Sequence, residues 1–259
     1  HGLELGVLVA GATLTSFWIW RTRVVSIFGK PIVSIAAPIL LIILLLCRAA
    51  NGYAVFVAGL LVLYSLKLFK MRIILLIVLL AFLIYLYGRV ITNWDAAILV
   101  DITESVYEER AFSLKSRIMH EVLLIEKALH RALLGWGGWD RNRADEMAEA
   151  VMGGRSITDS YWIIVFGTYG LAGLSSFYLV LLMPIEFLRR RLPPARWSDP
   201  ETAPAAALAM VLLGFAIDSI VNAMYSPIYF LIAGGLMAYQ PEIKAMKLKK
   251  QIGNQLLVG

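Results

Sequence analysis

The run Ile73-Ile-Leu-Leu-Ile-Val-Leu-Leu-Ala-Phe-Leu-Ile-Tyr-Leu-Tyr-Gly-Arg-Val-Ile91 sets the reading of this chain of 259 residues. Its one charge is Arg89, close to its end. At 1.5 Å rise per residue a helix of this length covers about 28 Å, near the hydrocarbon thickness of a bilayer. A helix apolar on every side has no face for water, so it reads as a membrane span and not as a surface helix. Six further runs have the same character: Leu3 to Trp20, Pro31 to Cys47, Tyr53 to Phe69, Leu171 to Leu188, Ala205 to Val221 and the shorter Pro227 to Tyr239. The expected fold is therefore all-α, a polytopic transmembrane helical bundle of about seven spans. Composition points the same way, with 60% hydrophobic and 16% charged residues where soluble domains carry about 45–50% and about 25%. A single cysteine, Cys47, excludes an intrachain disulfide and a multi-cysteine metal cluster.

Once the spans are drawn, the basic residues sort by connection. Arg21, Arg23, Lys30, Lys67, Lys70, Arg72, Arg189, Arg190, Arg191, Arg196, Lys244, Lys247, Lys249 and Lys250 all fall in alternate connections. The positive-inside rule makes that face cytoplasmic. The formal charge of +6 is thus spent on orientation, and no nucleic-acid partner is expected. The expected organisation is four transmembrane helices over 1–91, an extracytoplasmic helical loop over 92–160, three transmembrane helices over 161–240 and a cytoplasmic tail over 241–259. The chain begins at His1, with no signal-peptide pattern, and reads as part of a longer protein. Leu192 to Thr202, with Pro193, Pro194 and Pro200, reads as a cytoplasmic loop.

A segment as long as 92–160 with its own periodicity is more than a connector. From Ser113 to Leu134, apolar residues recur at Ile118, Val122, Ile125, Leu129 and Leu133, the stripe of a helix lying on protein or on the bilayer surface. Beside it runs a second row, Arg117, His120, Leu124, Lys127 and Arg131, which fits either a headgroup-facing edge or an anion-binding one. Leu133-Leu-Gly-Trp-Gly-Gly-Trp-Asp140 follows. Its glycines permit unusual backbone, while Trp136 and Trp139 favour an interfacial or sugar-stacking position. Arg141 and Arg143 precede an acidic helical piece, Ala144 to Met152. Ser156-Ile-Thr-Asp159 fits a capping box for a helix starting near Asp159, which makes Asp159 either a cap or a functional carboxylate.

Three charges lie at or near membrane depth. Arg48, among the small residues of Cys47-Arg-Ala-Ala-Asn-Gly52, either snorkels to headgroups or forks onto a phosphate. Arg89 reads as a plain snorkel. Asp218, inside the sixth span with Asn222 one turn later, marks a polar face turned inward; it is either a functional acid or a hydrogen-bonded strut. No metal-ligand spacing, phosphate loop or nucleophile elbow occurs, so neither metal nor cofactor is expected.

Ser113-Leu-Lys-Ser-Arg117, the helix after it, Leu133-Leu-Gly-Trp-Gly-Gly138 and Tyr161-Trp-Ile-Ile-Val-Phe-Gly-Thr-Tyr-Gly-Leu-Ala-Gly173 together resemble the O-antigen ligase and O-antigen polymerase superfamily, as does Cys47-Arg-Ala-Ala-Asn-Gly52 upstream. The resemblance spans most of the chain and rests on the order and spacing of loose motifs. It implies a multi-pass protein of the bacterial inner membrane that is an inverting, metal-independent glycosyltransferase. Such an enzyme moves a glycan from undecaprenyl pyrophosphate to a sugar hydroxyl on a glycan or lipid-linked acceptor. By position, Arg117 matches the family's loop arginine and Arg48 its helix-end arginine, both on the pyrophosphate. The ligases' His-Asn pair is replaced here by Thr158-Asp159, which favours a polymerase over a ligase and leaves Asp159 as the candidate base. The wider substrate-binding set is Arg110, His120, Trp136, Trp139, Arg155, Tyr161 and Asp218. Family members have about ten to twelve spans, so the chain corresponds to their C-terminal half. Two other readings stand beside this one: a transporter or flippase for a lipid-linked or anionic substrate, and a non-catalytic membrane scaffold. The lack of paired, broken spans counts against transport.

Overall fold

The computed structural model describes residues 2–22, 29–70, 73–92, 94, 96–106, 108–138 and 140–240. All regular structure among them is helical: α1 (Gly2–Arg21), α2 (Gly29–Leu46), α3 (Ala50–Phe69), α4 (Ile73–Ile91), α5 (Ala97–Val106), α6 (Glu108–Leu129), α7 (Asp145–Met152), α8 (Tyr161–Arg191), a 3₁₀ turn at Pro194–Ser198, α9 (Ala203–Val221) and α10 (Ile228–Ala238). Five of these helices, α1, α3, α4, α8 and α9, are long and apolar enough to cross a membrane. The apolar parts of the other two expected spans are shorter, Val33–Leu46 and Ile228–Ala238. The 11 residues of α10 reach only about 17 Å, less than a hydrocarbon core.

α4 has the bounds of the run quoted first. Its buried residues, Leu75, Leu79, Phe82, Leu86, Arg89 and Val90, repeat at helical spacing, while Ile77, Leu80, Ile84, Tyr87 and Ile91 are exposed. A helix whose exposed face is as apolar as its buried one is built for lipid, not water.

The chain folds as two compact units. One comprises 5–72, 184–214 and 227–259. Small residues let its helices approach closely. A Cβ on Gly52 of α3 would lie 2.7 Å from the Gly6 carbonyl of α1, so the two backbones touch there. Trp18 and Trp197 are buried in the same unit, and the Trp18 indole N–H donates to the Trp197 carbonyl at 3.1 Å.

The other unit comprises 1–4, 73–183 and 215–226. Its organising feature is a break in α8 at Gly170, where φ is 67° and ψ is −164°. The expected span beginning at Leu171 is thus the second half of a longer element that starts at Tyr161. Tyr161 and Phe177 are 177 − 161 = 16 positions apart, about 24 Å along a continuous helix. Their ring centroids lie 5.3 Å apart, so the two halves fold back toward each other.

An unbroken helix would pair the Leu171 and Ala172 amides with the Gly167 and Thr168 carbonyls. Instead, residues 132–137 are spliced into the gap. The Trp136 and Gly137 amides donate to Gly167 and Thr168, both at 2.9 Å, while the Leu171 and Ala172 amides donate to Ala132 and Leu133 at 2.7 and 3.1 Å. These four main-chain groups thus find new partners, as a low-dielectric setting demands. Gly135 and Gly170 meet at the centre of the splice, both at positive φ. A Cβ on Gly135 would strike the Thr168 carbonyl, and one on Gly170 would strike Leu133. Only glycine satisfies both the conformation and the contact.

Candidate functional site

α6 organises the candidate site. The helix spans Glu108–Leu129, not Ser113 to Leu134. Its buried residues include His120, Glu121, Leu124, Ile125 and Ala128, whereas Val122, Leu129 and Leu133 are exposed. Of the expected apolar stripe Ile125 is buried and Ile118 half-buried, while Val122, Leu129 and Leu133 stay exposed, as a helix resting on a bilayer surface would leave them. The core-facing side also carries a carboxylate, Glu121, which meets a cation there.

That cation is Arg89. The snorkel expected of it is not what forms, since the side chains of Arg89 and Glu121 are only 1% and 5% exposed. Arg89 Nε and Nη2 donate to Glu121 Oε2 at 3.1 and 2.7 Å, and Nη1 donates to the Trp94 carbonyl at 2.5 Å. The other carboxylate oxygen, Oε1, accepts the Trp162 indole N–H at 2.7 Å. Burial pushes the Glu121 carboxyl above the ordinary carboxylate range, while Arg89, Trp162 and Ser160 pull in the opposite direction. This pair escapes inspection of the sequence because its members stand 32 positions apart. One signal was present: Glu121 shares a helical face with Leu124, Ile125 and Ala128, and an acid on a buried face requires a partner.

The segment leading into α8 is clamped to α6 on both sides of Asp159. His120, 8% exposed, accepts the Ile157 amide on Nδ1 at 3.3 Å, and Glu121 holds Trp162. Between the clamps, Asp159 Oδ2 lies 3.3 Å from Arg117 Nε. This pair is half open, with side chains 32% and 43% exposed for Arg117 and Asp159. Arg117 also donates from Nη1 to the Val221 carbonyl at the end of α9, at 2.8 Å.

The capping box does not form. Ser156 belongs to α7 instead, its hydroxyl donating to Asp145 Oδ1 at 2.7 Å and accepting the Ala144 amide at 3.2 Å. The Ser156 hydroxyl, the Ser156 amide, which also donates to Oδ1 at 3.0 Å, and Arg143 hold the Asp145 carboxyl below its usual range. With Ser156 so engaged and α8 starting only at Tyr161, Asp159 keeps its carboxylate for Arg117.

Tyr161 and α9 complete the surroundings. The Tyr161 ring stacks on Tyr225 at 5.5 Å, and its amide donates to the Asn222 carbonyl at 3.1 Å. Asp218 is buried, and its Oδ1 accepts the Asn222 side-chain amide at 2.7 Å, as the one-turn spacing suggests. Arg117, His120, Asp159, Tyr161 and Asp218 thus belong to one unit.

The other expected residues are disposed differently. Trp136 joins the end of α6: its indole N–H donates to the Lys127 carbonyl at 2.8 Å, and Lys127 and Arg131 approach its ring at 4.2 and 4.5 Å. Its half-buried ring is flanked by these two cations. Arg155 is exposed. Arg48 belongs to the other unit, exposed in the turn after α2 with φ of 48°. Trp139 and the side chain of Arg110 lie outside the described residues. Among the described residues no three His, Cys, Asp or Glu side chains gather as a metal site would require.

No protein-family model, curated protein or solved structure matches this chain.

Proposed function

We propose that the protein is a membrane glycosyltransferase of the O-antigen polymerase and ligase type, acting as a polymerase on a glycan carried by undecaprenyl pyrophosphate. In this reading seven helices cross the bacterial inner membrane, residues 92–160 face the periplasm and the C-terminus is cytoplasmic. The observation that carries the reading is the Arg117–Asp159 pair, a guanidinium and a carboxylate half open to solvent and held from behind by buried contacts. In the resting state the two charges neutralise each other. A pyrophosphate offers Arg117 a bidentate partner of higher charge, and the exchange releases Asp159. The incoming sugar parts the two side chains. The acceptor hydroxyl then attacks the anomeric carbon from the face opposite the leaving group and gives its proton to Asp159. The bond from that carbon to the phosphate oxygen breaks, and the pyrophosphate departs with the electron pair, its charge offset by Arg117. Tyr161 and Tyr225 supply an aromatic wall beside the pair.

The test uses a host deleted for the protein and complemented with wild type or with Arg117→Lys and Asp159→Asn variants matched for membrane expression. For a polymerase, both variants lose long surface glycan while the single-repeat product persists. Accumulation of unattached lipid-linked polymer would make the protein a ligase, and unchanged glycan would refute the transferase reading.

A second reading, transport of a lipid-linked anion, draws support from the break at Gly170. Interrupted helices line substrate paths in many transporters. In that case Arg117→Lys abolishes movement of the lipid between leaflets without altering any glycosidic bond.

A further inference from the structure

The turn after α6 combines three features that the transferase reading leaves unused. Leu133 and Leu134 are 70% and 73% exposed, the least covered leucines of that unit. Lys127, His130 and Arg131 stand immediately before them, with Lys127 and Arg131 held over the Trp136 ring. The turn is also fixed to α8 by the four main-chain hydrogen bonds at Gly170.

The splice sets the depth of the turn. α8 is long and apolar enough to cross a membrane, and beyond the break its apolar run begins at Leu171. The splice ties the turn to the start of that run, where a span meets the headgroup layer. Residues hydrogen-bonded across Gly170 then lie at the boundary between acyl chains and headgroups. Exposed leucines at that level enter the hydrocarbon, at about 25 cal/mol per Å² of apolar surface removed from water. Adjacent lysine and arginine side chains reach the phosphates, and an indole stabilised by cations is at home there.

We infer that the turn His130 to Leu134 is a membrane-interface anchor that inserts Leu133 and Leu134 into the outer leaflet and binds anionic lipid phosphates through Lys127 and Arg131. Its occupant is a lipid surface, not a protein. Continuity with a helix of membrane-spanning length argues for this, as does the local charge: three basic or potentially basic groups stand against one exposed acid, Glu126. The inference is independent of the transferase reading. The anchor also fastens the far end of α6, the helix whose Arg117 forms the open ion pair, to the bilayer.

The single native cysteine makes the test direct. In a Cys47→Ser background, Leu133→Cys, Leu134→Cys and, on exposed α7, Glu149→Cys variants are spin-labelled and reconstituted into phosphatidylcholine bilayers with and without phosphatidylglycerol. Collision with oxygen is compared with collision with a water-soluble nickel chelate. The anchor predicts that the 133 and 134 labels collide mainly with oxygen and the 149 label mainly with nickel. It also predicts that phosphatidylglycerol moves the first two deeper, and that a Lys127→Gln and Arg131→Gln double variant loses this shift. Nickel access at 133 and 134 equal to that at 149 would overturn the proposal. So would labels shielded from both reagents, which would mean that protein covers the turn.

Discussion

α6 holds two ion pairs one helical turn apart, and they differ in kind. Glu121 meets Arg89 almost wholly out of solvent, with a second oxygen satisfied by Trp162. Arg117 meets Asp159 in the open, at a looser 3.3 Å, and spends another of its nitrogens on a main-chain carbonyl. The buried pair cannot change partners without leaving a charge stranded in a low dielectric, which costs several kcal/mol. The open pair can, because solvent reaches both side chains. Proximity on one helix therefore does not imply a shared role: the first pair holds the α8 entry from within the core, and the second is half open to solvent.

Breaking the buried pair has the largest expected effect. Arg89→Met leaves Glu121 unpaired and should cost about 3–5 kcal/mol, seen as a lowered unfolding midpoint in detergent. Adding Glu121→Met should recover much of that loss, because two apolar side chains need no partner. A double variant no more stable than Arg89→Met would show that the pair acts through shape and not charge.

The same variant carries a pH signature. Burial raises the Glu121 carboxyl in the folded state, and removing Arg89 raises it further. A folded-state carboxyl above its unfolded value contributes nothing adverse below the unfolded range, where it is neutral in both states. Stability is lost as pH rises toward the folded value. The deficit of Arg89→Met should therefore be smaller near pH 5 than near pH 8. A deficit independent of pH would contradict the assignment of the charge to Glu121.

For the open pair the expectation reverses. Arg117→Ala should change stability by no more than about 1 kcal/mol, the usual range for exposed pairs, and added salt should shrink even that. Asp159→Asn should be subtler still: folding is unchanged, anion binding at Arg117 is strengthened because its competitor has gone, and transfer is abolished. Weakened anion binding in Asp159→Asn would mean that the carboxylate positions Arg117 and does not compete for it.

The sequence announces some of this and conceals the rest, for identifiable reasons. The apolar runs depend only on local composition, so α4 falls where its run predicts, and Asp218 with Asn222 follows from one-turn spacing. The Arg117–Asp159 contact joins two residues singled out separately, although nothing local shows that they meet. Three features depend on non-local contacts. The break at Gly170 exists because residues 132–137 supply the missing hydrogen bonds. The Arg89–Glu121 pair needs two distant helices to converge. Ser156 turns to Asp145 because α7 packs beside it, which cancels a capping box that short-range spacing makes plausible.

The sharpest measurement is the affinity of the purified protein in lipid nanodiscs for a short-chain polyprenyl pyrophosphate, wild type against Arg117→Lys, with the unfolding midpoint of each. If Arg117 grips the pyrophosphate with its two-pronged head, the lysine variant should bind about tenfold more weakly or worse, a loss of about 1.4 kcal/mol, at an unchanged midpoint. Equal affinity in the two proteins, or an affinity loss that merely follows a fall in the midpoint, would contradict the role given to the open pair.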